Sequence, residues 1–154
     1  MKFNEFWTNL KNLEESISIQ SPTPLKVIKA YWGAPAQSIT DLPVALNALS
    51  EPDRTLGFGS REERVNVNFQ LLVARATVED DYSSLLATAF WYAAKDIFDR
   101  NTTIGNTVAL ATLKGAVSRT AGQATVPVVL SHGGQAYIGF NAVLDMQVFE
   151  PFTF

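Results

Sequence analysis

At 154 residues, the chain is long enough for one domain with a real core and too short for two comfortable ones. A hydrophobic share of 47% argues against disorder, and a net charge of −3 argues against a protein that grips nucleic acid by neutralising phosphates. The absence of cysteine excludes disulfides, thiolate metal sites and cysteine nucleophiles together.

The N-terminal stretch predicts an amphipathic helix. Phe3, Phe6, Trp7, Leu10, Leu13 and Ile17 recur at spacings of three and four, with Asn4, Lys11 and Glu15 elsewhere. Two partners fit this stripe: the chain's own domain, or in part a neighbouring subunit. Breaks at Asn4, Glu5 and Asn9 do not suit a signal peptide, and no run of about 18 apolar residues occurs. The expectation is a soluble protein made and used without export.

Pro22, Pro24, Pro35, Pro43 and Pro52 punctuate the next segment and forbid long helices there. Short strands are expected over 25–31 and 44–49. Residues 51–64, EPDRTLGFGSREER, exceed an ordinary hairpin turn and read as a projecting arm. Its mixed charges suit either a solvated face or salt bridges across an interface, which makes Arg54, Arg61, Glu62, Glu63 and Arg64 subunit or partner contact candidates. Such an arm is expected to order on assembly, where a partner surface offsets the entropy lost.

A clean strand follows over 65–73. Val65, Val67, Phe69, Leu71 and Val73 alternate with Asn66, Asn68 and Gln70, so one face is apolar and the other polar without charge. An acidic turn then leads into a helix over 82–100, capped by Asp80 or Asp81. Leu85, Leu86, Ala89, Phe90, Ala93 and Ile97 form the face expected to cover a sheet. Ala87, Trp91, Ala94 and Phe98 form a second stripe, to be covered by the N-terminal helix or by a neighbouring subunit. The N-terminal helix is the preferred cover, because packing within the chain keeps the free protein soluble.

The remainder reads as strands over 107–117, 124–130 and from Ile138 onward, with Pro127 confining the second to an edge or a bulge. In SHGGQ, Gly133 and Gly134 build a hairpin turn, and His132, the only histidine, decorates it. The fold class expected is α+β, a mainly antiparallel sheet with helices packed on one face, in a single domain over 1–154.

No motif carries chemistry. His132 has no nucleophile elbow near it, and catalysis by it is not expected. Glu79, Asp80 and Asp81 lack the spaced ligands of a calcium loop and suit helix capping better. GFGSRE has no G-K-[ST] ending and matches a phosphate loop only superficially. No catalytic residue, cofactor or metal is expected.

Over about residues 25–150 the order of segments resembles the tail-terminator (tail-completion) proteins of long-tailed bacteriophages. The resemblance rests on VIKAYWGAPAQSITDLPVAL, the charged arm, REERVNVNFQLLVAR, the helix, and the closing strand GGQAYIGFNAVLDMQVFE. It implies a small α+β domain that closes into a hexameric ring on the head-proximal end of the tail tube. Such a ring ends tail polymerisation and forms the joining surface to the head–tail connector and neck proteins. It implies no catalytic residues. The location implied is the virion tail, after synthesis in the host cytoplasm. Six copies at −3 each carry roughly −18, a field that lets DNA pass without specific binding. Asn66, Asn68 and Gln70 are the lumen-facing candidates. A head-completion or connector protein, and from another class a small soluble enzyme or ligand-binding domain, are the alternatives.

Overall fold

The structure is a computed structural model and describes residues 2–33, 35, 39–50, 63–76, 81–115, 126–148 and 150–154. The elements are α1 (Phe3–Glu15), β1 (Ser18–Ile19), β2 (Leu25–Lys26), β3 (Lys29–Trp32), β4 (Val44–Ser50) and β5 (Glu63–Arg75), followed by α2 (Asp81–Arg100), β6 (Leu110–Gly115), β7 (Val128–His132) and β8 (Gln135–Val148). The described residues form a small α+β fold with two helices and a mostly antiparallel sheet.

The two longest strands, β5 and β8, pair antiparallel and form the centre of the main sheet, whose order is β3-β4-β5-β8-β6. The far side of β8 is shared end to end: β6 pairs with its second half and β7 with its first. One pair is parallel, β3 with β4, in the register Lys29↔Val44 to Trp32↔Asn47. The strand expected over 25–31 is two pieces in two sheets. Leu25–Lys26 pairs with β1, and Lys29–Trp32 pairs with β4. The backbone leaves the small sheet between them, where the Val27 N–H donates to the Ile17 carbonyl and the Ile28 N–H to the Pro43 carbonyl.

Alternation on β5 gives the sheet its two faces. Val65, Val67, Phe69 and Leu71 are buried in a core shared with both helices, and on β8 Phe140, Ala142, Leu144 and Met146 join them. Both helices lie on this face. On α1 the buried positions are Phe3, Phe6, Leu10 and Glu14, with Trp7 and Leu13 half-buried at the margin. The apolar stripe of α1 is thus covered within the chain. The helix has no side-chain N-cap; instead the Phe3 N–H donates to the Thr153 carbonyl at 2.9 Å, so the C-terminal segment satisfies one of its free donors.

The faces of α2 differ from expectation. The buried residues are Ser83, Leu86, Ala87, Phe90, Ala94 and Phe98, a single stripe that runs between the two read from the sequence. Leu85, expected against the sheet, is 59% exposed. Phe98, expected under α1 or a neighbour, is 1% exposed and meets Phe69 of β5, while Trp91 stands edge-on to Phe140 of β8 with ring centroids 5.1 Å apart. The physical reason is the width of the helix footprint. A sheet of long strands covers well over 100° of a helix, so residues on the flanks of both stripes are reached by one surface.

Two features mark the far end of the sheet. A register irregularity between Leu72 and Ala74 bends β5. At Gly139 the strands approach so closely that an added Cβ would fall 1.7 Å from the Leu71 carbonyl oxygen. Beyond this bend Tyr137 packs with Ile39, Val44, Leu46 and Leu72 in a second, smaller core on the helix-free face, with Leu130 at its margin. Within the described residues the other expected strands are present: the one expected over 107–117 begins at Leu110, the one over 124–130 runs from Val128 to His132, and the one from Ile138 begins at Gln135, while 116–117 and 124–125 lie outside the described residues.

Candidate functional face and groove

The helix-free face is built mainly by β4, β5 and β8. On β5 the residues Arg64, Asn66, Asn68 and Gln70 share it by alternation; Arg64 and Asn68 are exposed, and Asn66 and Gln70 half-buried. Opposite them on β8 stand Gln147, Asp145, Val143 and Asn141, and on β4 Ser50, Ala48 and Leu46 face Asn66, Asn68 and Gln70. The centre is therefore a ladder of amides between small and apolar neighbours. Among the described residues an ion pair, Lys114 Nζ to Asp145 Oδ2 at 2.9 Å, joins β6 to β8 here. The Asn66 side-chain oxygen is buried without a hydrogen-bond partner, so this amide retains an unused acceptor.

Beside the β7–β8 hairpin this face carries a groove. Gly133 and Gly134, with φ of +57° and +77°, form the two-residue turn between the paired residues His132 and Gln135. Two successive positive φ angles match the twist of a tight hairpin, which is why glycine suits both places. His132 is half-buried and looks onto a cavity of about 230 Å³, with Asn68, Gln70, Leu46, Ala48 and Gly33 around it. The groove offers neutral donors and acceptors beside a few apolar atoms, which suits hydrogen-bonded recognition. Ligand sites for drug-sized molecules run from about 300 Å³ upward, so this one fits a small polar group or a single side chain.

The site candidates divide as follows. Asn66, Asn68 and Gln70 stand together on the helix-free face, and Arg64 joins them there as a strand residue. Glu63 opens β5 opposite Val148. Arg54, Arg61, Glu62 and the rest of the expected arm up to 62 lie outside the described residues, as do Glu79 and Asp80. Asp81 is the first residue of α2 and sits where the helix dipole favours an anion. Trp91 and Phe98 are drawn into or against the sheet core, which removes Phe98 as a contact candidate. The outer face of α2 instead carries Leu85 and Tyr92, 59% and 69% exposed. Seven residues apart, they fall within about 20° of one another around the helix. Among the described residues no cluster of three or more His, Asp and Glu side chains is placed to hold a metal ion. No described helix is long and apolar enough to cross a membrane.

One buried group was missed by the sequence reading. Glu14 is 0% exposed, and burial pushes its carboxyl up to about 8, with a hydrogen bond from Asn47 opposing and the neighbouring Glu15 adding to the rise. The signal was present: Glu14 falls four residues after Leu10 and three before Ile17, in register with the apolar stripe.

A scan against protein-family models finds no match to this chain, and a search of curated proteins finds none either.

Proposed function

We propose that this protein is a virion structural protein that caps the tail tube of a long-tailed bacteriophage as a ring. In this role it ends tail polymerisation and forms the joining surface to the head and neck. The observation that carries the reading is the two-faced sheet. One face is filled by both helices, and the other presents the uncharged ladder Asn66, Asn68 and Gln70 on a long strand. Along a lumen, such amides let a polyanion slide, because retention of nucleic acid grows with each phosphate neutralised by a cation. The order of elements along the chain supports the same reading, through its resemblance to tail terminators. Contacts to neighbouring copies would use the outer face of α2, where Leu85 and Tyr92 leave apolar surface in water. The other partners in this reading are the tail tube protein and the connector or neck proteins.

A connector of the same kind of virion is the nearest alternative. The groove beside His132 favours a second class, a ligand-binding domain, although its volume is small for that role. Sedimentation together with negative-stain microscopy, with and without purified tail tubes, separates these readings. A ring of about six on tube ends supports the terminator, and a ring of about twelve supports a connector. A monomer that ignores tubes and binds a small polar molecule in the groove overturns both virion roles.

A further inference from the structure

Glu14 sits in the last turn of α1, and its Oε2 accepts a hydrogen bond of 2.7 Å from Asn47 Nδ2 on β4. The same amide nitrogen donates to the Tyr31 carbonyl on β3 at 3.2 Å, which uses both of its hydrogens. Two buried atoms are left without partners in this pair, Glu14 Oε1 and Asn47 Oδ1. Both are acceptors if the carboxyl is ionised, and with both amide hydrogens already used the pair then has no donor left for either. A neutral carboxyl brings one O–H, and the oxygen of the amide already bonded to Glu14 is an acceptor that lacks a donor. We propose that Glu14 is held as the neutral acid, whose O–H closes a reciprocal acid–amide pair with Asn47, and that this pair is a proton-dependent latch holding the end of α1 on the β3–β4 edge.

The surroundings favour the neutral form. On α1 the neighbouring Glu15 carboxyl lies 3.9 Å from Lys11 Nζ and accepts from the Ala30 N–H. On β3 Lys29 is exposed and lies over the Tyr31 ring. β4 holds no ionisable side chain, and the β5 residue paired with Asn47 is Phe69. On α2 Asp81, Asp96, Asp99 and Arg100 are exposed, and Lys95 lies over Trp91. Lys26 of β2 and Glu150 near the C-terminus are exposed as well. None of these groups is hydrogen-bonded to the Glu14 carboxyl, and loss of its proton would leave a buried charge that the neighbouring Glu15 disfavours.

Close to the latch is a reporter. Trp7 of α1 and Trp32 of β3 stand edge to face with ring centroids 5.3 Å apart, and Trp32 is paired in register with Asn47. The experiment follows the Glu14 side-chain carbonyl carbon by NMR in the full chain through neutral and alkaline pH. Near-UV circular dichroism of the tryptophans, and hydrogen exchange across the end of α1, are recorded on the same samples. The expected result is one midpoint, far above the ordinary carboxylate range, shared by the Glu14 carbon, the tryptophan signal and faster exchange at the end of α1. In E14Q the side-chain amide reproduces the reciprocal pair without a titrating proton, so the transition should vanish and the acid-form spectrum persist. A Glu14 carbon that titrates in the ordinary range overturns the proposal, whether or not E14Q folds. So does a wild-type transition that survives in a folded E14Q.

Discussion

Phe98, in the last turn of α2, meets Phe69 at the middle of β5 with ring centroids 6.0 Å apart and planes inclined at 63°. The contact anchors the C-terminal end of α2 to the central strand of the sheet. It also puts against the sheet a residue expected under the N-terminal helix or a neighbouring subunit. Phe98→Ala should therefore cost about 3–5 kcal/mol, as large-to-small changes at fully buried aromatics do. Trp91→Ala should cost less, because Trp91 is only half-buried beside Phe140. Urea denaturation of each variant checks both. A Phe98→Ala protein as stable as the parent would mean that α2 does not dock on β5.

Leu85→Ser with Tyr92→Ser tests the outer face of α2. Both side chains are exposed, so folding stability should change by no more than about 0.5 kcal/mol. Under the ring reading, assembly on tube ends should fail while the monomer stays folded. Normal tube capping by the folded double variant would place the subunit contact elsewhere.

Glu14 makes global stability depend on pH. Its carboxyl has an unfolded-state value of 4.5 and rises to about 8 in the fold, so the folded state binds the proton more tightly. The stabilising effect is complete below the unfolded value and declines as pH rises toward 8, because only the unfolded chain ionises in that window. The full loss is roughly 5 kcal/mol at 1.36 kcal/mol for each pH unit of the window. Glu14→Gln should flatten this slope and be more stable than the parent on the alkaline side. Thermal unfolding of both proteins across pH gives the comparison, and parallel profiles would refute it.

Gly139 should tolerate no side chain. In Gly139→Ala the new Cβ meets the Leu71 backbone, which cannot swing aside as a flexible side chain would. The expected cost is about 3 kcal/mol or more, with loss of the bend that carries the β7–β8 hairpin. Gly134→Ala meets nothing within 4 Å and suffers only from its φ of +77°, so it should cost about 1–2 kcal/mol. Chemical denaturation with hydrogen exchange over 128–140 distinguishes the two, and equal costs would show that strand approach is not what selects glycine at 139.

Asn68→Lys with Gln70→Lys puts two cations on the helix-free face. If that face lines a DNA passage, assembled rings should retain DNA with a dependence on salt that the parent lacks. Filter binding over a range of salt concentrations measures it, and indifference to the lysines would move the face away from the lumen.

Local pattern determined much of this protein. Period two on β5 and β8 fixed which side of each long strand is apolar, and the glycine pair after His132 specified the hairpin turn, since both depend on neighbours in the chain. The spacing of aromatics in α1 likewise marked its buried side, because a helix repeats its faces every few residues. Tertiary structure decided the rest. Which flank of α2 is buried depends on how far the sheet extends beneath it, so Leu85 went to solvent and Phe98 to the core. The parallel pairing of β3 with β4 joins residues across a proline-broken segment that has no periodicity of its own. The groove is made by residues far apart in the chain, since β4, β5 and β7 bring Leu46, Asn68, Gln70 and His132 around one cavity. Glu14 and Asn47 are separated by 33 residues, and only the packing of α1 on the sheet makes one the partner of the other. Periodicity is a property of a single element, whereas burial of a polar group is set by whatever element comes to cover it.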